Sequence, residues 1–447
     1  MLRNTVFFTS ILFFTNLFSQ EAEITFKDAL NHAYKNDPNI KKLINSIEIQ
    51  ESNIKASIGS LLPDLKFSSG WTRTNQFIDA GNININGINV PVAERNETSD
   101  NFSLSLRSDV ILFNGFVNYY RVTLNRQQRL QNLLQLEKYK SDLTFRILNA
   151  YITVLKNQKI VEINTATLED SRKQLEKIRV FVEVGKRTMS DVYRQDVVVA
   201  QNELAVEQAK NNLDKSVTEL AYSANFPLDK NYSVSGKEFS TDISYDLMEE
   251  YINSNSDLDR LVDKALRNRY DYRIAVKNID LLKANLDIAR SSVIFPTISG
   301  FSSYSLSGQK ITNISNQRIF TVGLSLSYPI FQGFSLDNQR QQAELNLNSA
   351  RADAELLKNQ IALEIKKLII DMKSLLKQIE ITDRNIKNAQ QDLLLAEESY
   401  RIGTGTVLEI NTASVNLTNI LINKSNLIYN FILAQKQLEY YQGLLTY

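Results

Sequence analysis

The chain has 447 residues, length for two or three ordinary domains, and its 51 Lys plus Arg nearly balance 50 Asp plus Glu, so it carries no global nucleic-acid footprint. Zero cysteine excludes a disulfide frame, a thiolate metal site and a lipid anchor on Cys, and one histidine, His32, is too little for an ordinary metal centre. No Gly-rich phosphate loop follows a predicted strand and no nucleophile motif appears, so neither an enzyme nor a cofactor-binding protein is expected.

Residues 1–20 have the composition of an export signal. Arg3 is followed by an apolar core from Val6 to Phe18, interrupted by Thr9, Ser10, Thr15 and Asn16, and the small Ser19 precedes Gln20-Glu21. That core is short for a membrane span, so a signal peptide is expected rather than a retained anchor. No later apolar stretch approaches 18 residues without charge, and any membrane crossing must be made by strands.

The mature chain opens with Ile24-Thr25-Phe26-Lys27-Asp28, in which Thr25 as N-cap and Asp28 three residues on form a capping-box-like start. Pro38 interrupts, and a second amphipathic helix is predicted over about 39–58, stopped by Gly59 to Pro63. His32 is expected as a helix-surface or core residue. The pattern then switches to strict alternation. Leu65, Phe67 and Trp71 alternate with small or charged residues, and so do Phe102, Leu104, Leu106 and Val110. This is what a barrel strand in lipid looks like, and equally a half-buried soluble hairpin. Gln76 to Asp100, rich in Asn and Gly, is predicted as a long polar loop, and its Asn96-Glu97-Thr98 triplet is treated as chance.

Phe113-Asn114-Gly115-Phe116 opens a run without Gly or Pro that ends at Val184-Gly185, and Phe331-Gln332-Gly333-Phe334 opens another that ends at Ile402-Gly403. Both glycine-to-glycine intervals are 70 positions, and the copies superpose at a constant offset of 218. Ile147, Val154, Val161, Leu168, Leu175 and Val182 fall seven apart, matched by Ile365, Met372, Ile379, Ile386, Leu393 and Tyr400. A sustained apolar heptad predicts coiled-coil helices, each roughly 100 Å if wholly helical. At the second heptad position small and polar residues (Ala150, Asn157, Asn164, Ser171; Thr382, Ala389, Ala396) outnumber Leu. A helix can then pack on neighbours at both flanks and show water its inner side, and one solvated antiparallel coiled coil remains the alternative. Gly185 caps the first run and a helix is predicted from near Ser190 to about Phe226-Pro227. Residues 228–256 break the periodicity and are expected as a small mixed collar. From Asp257 the sequence of elements restarts: one helix from Leu261 to about Val293, a stop at Pro296, two alternating strands, the second long helix, a turn at Gly403-Thr404-Gly405-Thr406 and a last helix to about Leu438. The expected organisation is therefore a signal over 1–20, a first repeat over 21–227, a linker over 228–256 and a second repeat over 257–447.

The fold class expected is mostly α with a β membrane portion, two long antiparallel helical hairpins and four transmembrane strands per protomer. Four strands cannot close a barrel, and an open edge in lipid leaves backbone groups unpaired at several kcal/mol each. Strands in a membrane thus force oligomerisation, and three copies supply twelve strands, a size bacterial outer membranes use. The rival expectation, a secreted or periplasmic coiled-coil scaffold, accounts for the heptads and the charge balance but not for four alternating strands inserted at matching places.

Ile24-Thr25-Phe26-Lys27-Asp28-Ala29-Leu30 with Asn36-Asp37-Pro38, the two Gly-Phe turns after strands, and above all Val184-Gly185-Lys186-Arg187-Thr188-Met189-Ser190-Asp191-Val192 and Tyr400-Arg401-Ile402-Gly403-Thr404-Gly405-Thr406-Val407-Leu408-Glu409-Ile410 resemble the TolC-type outer membrane efflux protein family. The likeness covers essentially the whole mature chain. It implies a homotrimer in the outer membrane of a Gram-negative bacterium, with a twelve-stranded barrel in lipid and an α-helical periplasmic tunnel. Such a trimer is the passive exit duct of a tripartite efflux pump or a type I secretion system. Its partners would be a periplasmic adaptor and an inner-membrane transporter of RND or ABC type. Carried over by residue, Gly185, Lys186, Arg187 and Thr188 with Gly403, Thr404, Gly405 and Thr406 match the hairpin turns that adaptors contact. Asp191 and Tyr400 match positions tying neighbouring coils together in the closed state, and Glu409 matches one acidic position of a ring that narrows the tunnel. The second acidic position is Thr412 here, and a basic residue common at the second turn is Gly405, with Lys186 and Arg187 on the first turn instead. Asp191 and Glu409 also sit just after helix starts, where the helix dipole favours acids, so a capping role stands beside the gating one.

Overall fold

The computed structural model describes residues 22–236, 238–239 and 244–445. The expected signal peptide lies outside them. The elements are β1 (Ala22–Ile24), α1 (Phe26–Asn36), α2 (Pro38–Gly59), β2 (Lys66–Ile78), β3 (Gly81–Ile85), β4 (Ile88–Val92), β5 (Arg95–Phe113), α3 (Val117–Glu183), α4 (Met189–Ser223), β6 (Tyr232–Val234), α5 (Tyr245–Ser254), α6 (Leu258–Asn268), α7 (Tyr270–Ile294), β7 (Thr297–Gly308), β8 (Gln317–Ser327), α8 (Ser335–Ile402) and α9 (Val407–Tyr441), with a 3-10 turn at Ile311–Asn313. Helices α1, α2, α3 and α4 have 11, 22, 67 and 35 residues, and α6, α7, α8 and α9 have 11, 25, 68 and 35. The described residues form two compact units, each assembled from both halves: those up to 38, those within 139–265 and those from 362 on in one, and 39–138 with 266–361 in the other.

In the first unit the heptad residues form the core. Ile147, Val154, Leu168 and Leu175 of α3 and Ile365, Met372, Ile379 and Ile386 of α8 are buried, as a seam facing packed helices requires. Strands β1 and β6 pair in parallel, and the buried Tyr151 pins both, its hydroxyl donating to the Ser235 carbonyl at 2.5 Å and lying 3.3 Å from that of Ile24. Helix α1 starts with the expected capping box between Thr25 and Asp28. His32 stacks on Phe226 at 4.0 Å, with Nδ1 3.0 Å from the Ala224 carbonyl at the end of α4, so its role here is structural. Within the residues expected as a collar, the described ones include β6 and α5.

In the second unit the strand order is β2-β5-β7-β8, antiparallel throughout. The register aligns Phe67, Leu106, Tyr304 and Phe320 in one row across all four strands, and Ser68, Ser105 and Ser305 in a neighbouring row. Alternation therefore gives one apolar face and one dominated by serine. Phe67, Trp71, Leu106, Phe320, Val322, Leu324 and Leu326 on the apolar face are all exposed. The outer strands β2 and β8 each have one partner only among the described residues. Helix α2 packs on the start of α3, with Gln50 Nε2 donating to Asn125 Oδ1 at 3.1 Å and Arg129 paired with Glu51 at 2.7 Å.

Two expectations need correction. The long polar loop over 76–100 is ordered: β2 runs to Ile78, β5 begins at Arg95, and a separate hairpin, β3–β4, stands between them. The Asn-Ile-Asn-Ile-Asn-Gly-Ile-Asn-Val alternation with an Asn-Gly turn was the overlooked signal, since Asn86 and Gly87 both take the positive φ a type I′ turn demands. The helix expected from Leu261 to Val293 is two, α6 and α7, broken at Arg269. That residue is extended, and its guanidinium is held by Asp271 at 2.6 Å. Among the described residues no helix is long and apolar enough to cross a membrane.

Candidate functional site

The residues singled out from the sequence meet in the first unit, where the turns α3–α4 and α8–α9 lie against each other. Each turn is built the same way. Gly185 takes φ +75°, its N–H donates to the Val182 carbonyl at 2.9 Å, and the Lys186 N–H donates to that of Phe181 at 2.8 Å. Gly403 takes φ +95°, with its N–H on Tyr400 at 3.2 Å and the Thr404 N–H on Ser399 at 3.0 Å. These are Schellman caps, which need a left-handed residue after the last helical turn, and glycine adopts that conformation without Cβ strain.

Beyond the caps the turns diverge. Thr406 and Glu409 form a capping box, with the Thr406 N–H donating to Glu409 Oε2 at 2.9 Å and the Glu409 N–H to Thr406 Oγ1 at 3.3 Å. Thr188 is the N-cap of α4 but its side chain makes no capping bond. Gly405 is pressed on the end of α8, its N–H donating to the Ser399 carbonyl at 2.9 Å. A Cβ there would meet Ser399 Cβ at 2.9 Å and Tyr400 N at 3.0 Å. The equivalent position of the first turn, Arg187, has room for a side chain and uses it across the pair of hairpins. Its guanidinium lies 4.0 Å from the centre of the Tyr400 ring and donates to the Tyr400 carbonyl.

Tyr400 is at the centre of this arrangement. It is 2% exposed and belongs to one apolar cluster with Leu175, Ile178, Val192, Val199, Val407 and Ile410, with Phe181 packed at 6.3 Å between ring centres. Its hydroxyl has no hydrogen-bond partner among the described residues. Burial raises its pKa above that of an ordinary phenol; the nearby Asp191 carboxylate adds to the rise and Arg187 opposes it. The structure thus brings together Arg187, Asp191 and Tyr400, with Glu409 occupied by its own helix start. Lys186 and Thr404 stand at the turn surface.

No motif or periodicity points to Gln195. It is 1% exposed, donates from Nε2 to the Ser171 carbonyl at 3.0 Å, and leaves Oε1 without a partner among the described residues. It lines a cavity of about 390 Å³ with Thr167, Ser171, Asn411, Ser414 and Thr418. Ser171, one of the small and polar second heptad positions, contributes to this polar seam, and the rest of it comes from α3, α4 and α9 side chains outside that series. Apolar side chains at the turns, Val184, Met189, Ile402 and Leu408, are exposed.

The family model described as outer membrane efflux protein matches residues 29–225 and 261–444. The outer membrane protein TolC of Salmonella enteritidis is 25% identical over 432 residues, covering 92% of this chain and 80% of that protein. Among solved structures, CusC superposes with a TM-score of 0.78 at 15% identity, covering 95% of this chain and 93% of its own. The outer membrane protein VceC of Vibrio cholerae does so with a TM-score of 0.74 at 16% identity, covering 94% and 96%. The matched regions include both strand pairs and both hairpin turns, and the chain belongs to the outer membrane efflux protein family, an outer-membrane protein of TolC type.

Proposed function

We propose that the protein is a homotrimeric exit duct whose three copies close a twelve-stranded barrel in the outer membrane and whose helices form a tunnel open to water. The observation that carries this reading is the β2-β5-β7-β8 sheet: an exposed apolar face, a serine-rich opposite face and two outer strands without further partners among the described residues. An open edge in hydrocarbon is prohibitive, whereas β8 of one copy beside β2 of the next restores pairing and keeps the antiparallel order. The strands of 13, 19, 12 and 11 residues are long enough to span a bilayer. Conduction would be passive, through a wide pore with selection made elsewhere.

Gly185, Lys186, Arg187, Thr188, Gly403, Thr404 and Thr406 are the docking surface for a periplasmic adaptor, which an inner-membrane transporter of RND or ABC type would drive, and the buried Gly405 shapes its turn from beneath rather than meeting a partner. Supporting this, the exposed Val184, Met189, Ile402 and Leu408 beside the turns supply apolar area for a partner. Asp191, Tyr400 and Glu409 form the periplasmic gate, and Arg187, which joins the first turn to Tyr400, belongs with them. Three copies of Glu409 around an axis would attract cations. Efflux and type I secretion share this architecture. Extraction from outer membranes as a heat-modifiable trimer that conducts in planar bilayers is the expected result. Purification as a water-soluble monomer would refute the duct and favour the scaffold.

A further inference from the structure

The hairpin β3–β4 is an ordered element that neither the pore wall nor the turns require. It leaves the sheet between β2 and β5, at the end where the 3-10 turn joins β7 to β8 and opposite the end where α2, α3, α7 and α8 attach. Its register pairs Ile83 with Val90 and Asn84 with Asn89, so Ile83, Ile88, Val90 and Val92 lie on one face, with Asn82, Asn84, Asn89 and Pro91 on the other. The polar face is self-satisfied, because Asn84 Nδ2 donates to Asn89 Oδ1 at 3.0 Å and the Gly87 N–H donates to Asn84 Oδ1 at 2.8 Å. The apolar face is not covered: Ile83, Ile88 and Val90 are 54%, 69% and 41% exposed. A lone two-stranded hairpin is marginally stable in water, and one with an open isoleucine face needs a partner.

The charge pattern identifies the partner. Residues 80–93 carry no Asp, Glu, Lys or Arg, in a chain with 23% charged residues, and Asp79 and Glu94 bracket the gap. A surface for phosphate-bearing lipid headgroups would carry Lys or Arg, and one resting at a membrane interface would carry Trp or Tyr; the hairpin has none of these. A surface that meets its own copies about a rotation axis has the opposite requirement. Close to the axis each residue meets its own counterparts, where like charges repel, so an uncharged contact is favoured there. Reach agrees. A twelve-stranded barrel with strands about 4.8 Å apart and tilted about 40° has a backbone radius of roughly 12 Å. From Asp79 to the turn at Asn86 the hairpin extends roughly 25 Å.

We infer that the β3–β4 hairpins of three copies meet through Ile83, Ile88 and Val90 and form a lid over the outer mouth of the pore. The inference rests on the trimeric barrel proposed above. The chain has no native cysteine, so Ile88→Cys in the full-length protein introduces one thiol per copy. On oxidation two thiols release two protons to solvent and pass two electrons to two equivalents of the added copper(II)–phenanthroline, which becomes copper(I), and one disulfide forms between copies. The expected result is a cross-linked pair within each trimer, with conductance in planar bilayers falling on oxidation and recovering on reduction. In the Arg187→Ala background, where the periplasmic constriction is loosened, replacing residues 80–93 with a short Gly-Ser turn should raise conductance about twofold or more, because constrictions along a wet pore act in series and the lid is then the tighter one. A trimer that conducts, does not cross-link at Ile88→Cys and conducts unchanged without the hairpin in that background overturns the lid. So does quenching of a fluorophore on Ile88→Cys by brominated lipid, which would seat the hairpin in the membrane. Failure of the wild-type protein to form trimers defeats the barrel itself and is seen before any variant is made.

Discussion

Arg187→Ala removes the one long side chain seen to reach from the first turn onto Tyr400 of the second hairpin. Two interactions go with it. A guanidinium over a largely buried ring at 4.0 Å contributes about 1–2 kcal/mol, and a hydrogen bond from a charged donor to the Tyr400 carbonyl about 1.5–3 kcal/mol before solvent exposure of the arginine is discounted. A net of about 2 kcal/mol per copy shifts the balance between apposed and separated hairpins roughly thirtyfold, since 1.4 kcal/mol is tenfold. Three copies acting together multiply that shift. In planar bilayers the Arg187→Ala trimer is expected to show higher mean conductance than wild type, with Arg187→Lys in between, because lysine keeps the charge over the ring but not the planar fork. Tyr400→Phe is the control. The ring and carbonyl that Arg187 engages are kept, so conductance near wild type is expected, and a rise would assign the tie to the hydroxyl beside Asp191. Equal conductance for wild type, Arg187→Ala and Arg187→Lys in intact trimers would refute the reasoning.

Glu409→Gln separates the two roles of that residue. Glutamine can complete the capping box, so thermal stability should stay within about 0.5 kcal/mol of wild type while block by divalent cations weakens, whereas Glu409→Ala should lose both the cap, about 1 kcal/mol, and the block. Unchanged block in both variants would leave Glu409 a cap alone. Gly405→Ala should destabilise the protein by about 1–3 kcal/mol, as its methyl group meets the α8 backbone near 3.0 Å, and Gly405→Arg should not rescue Arg187→Ala; thermal melts in detergent measure both. Tyr251 is pushed up to about 12 by burial and the nearby Glu439, and Tyr400 is raised in the same direction. A phenol whose folded pKa exceeds its unfolded value near 10 stabilises fully below that pH, and the contribution disappears as pH rises through the folded pKa. Stability should therefore fall between about pH 10 and 12, less steeply in Tyr251→Phe, as followed by ultraviolet absorbance of phenolate together with circular dichroism.

Much of the fold could be read from local rules. The heptad from Ile147 to Val182 and its copy at offset 218 fall on buried seams because seven-residue periodicity and helix geometry leave few other arrangements. The positions of Gly185 and Gly403 and the Thr25–Asp28 cap likewise follow from backbone chemistry within one turn of helix. The break at Arg269 was hidden because no Pro or Gly marks it; the extended Arg269, ion-paired with Asp271, precedes α7. The β3–β4 hairpin was hidden because asparagine reads as loop until its alternation with isoleucine is weighed.

At the turns the same division holds. The sequence by itself determined that two equivalent helix ends exist, which residues cap them, and that one bears Arg187 where the other bears Gly405. Which hairpin receives the arginine, the burial of Tyr400 and the unpaired oxygen of Gln195 were decided only in the tertiary structure. Each depends on side chains more than 200 positions apart, or on opposite arms of a hairpin, and such contacts leave no periodic trace in a single chain.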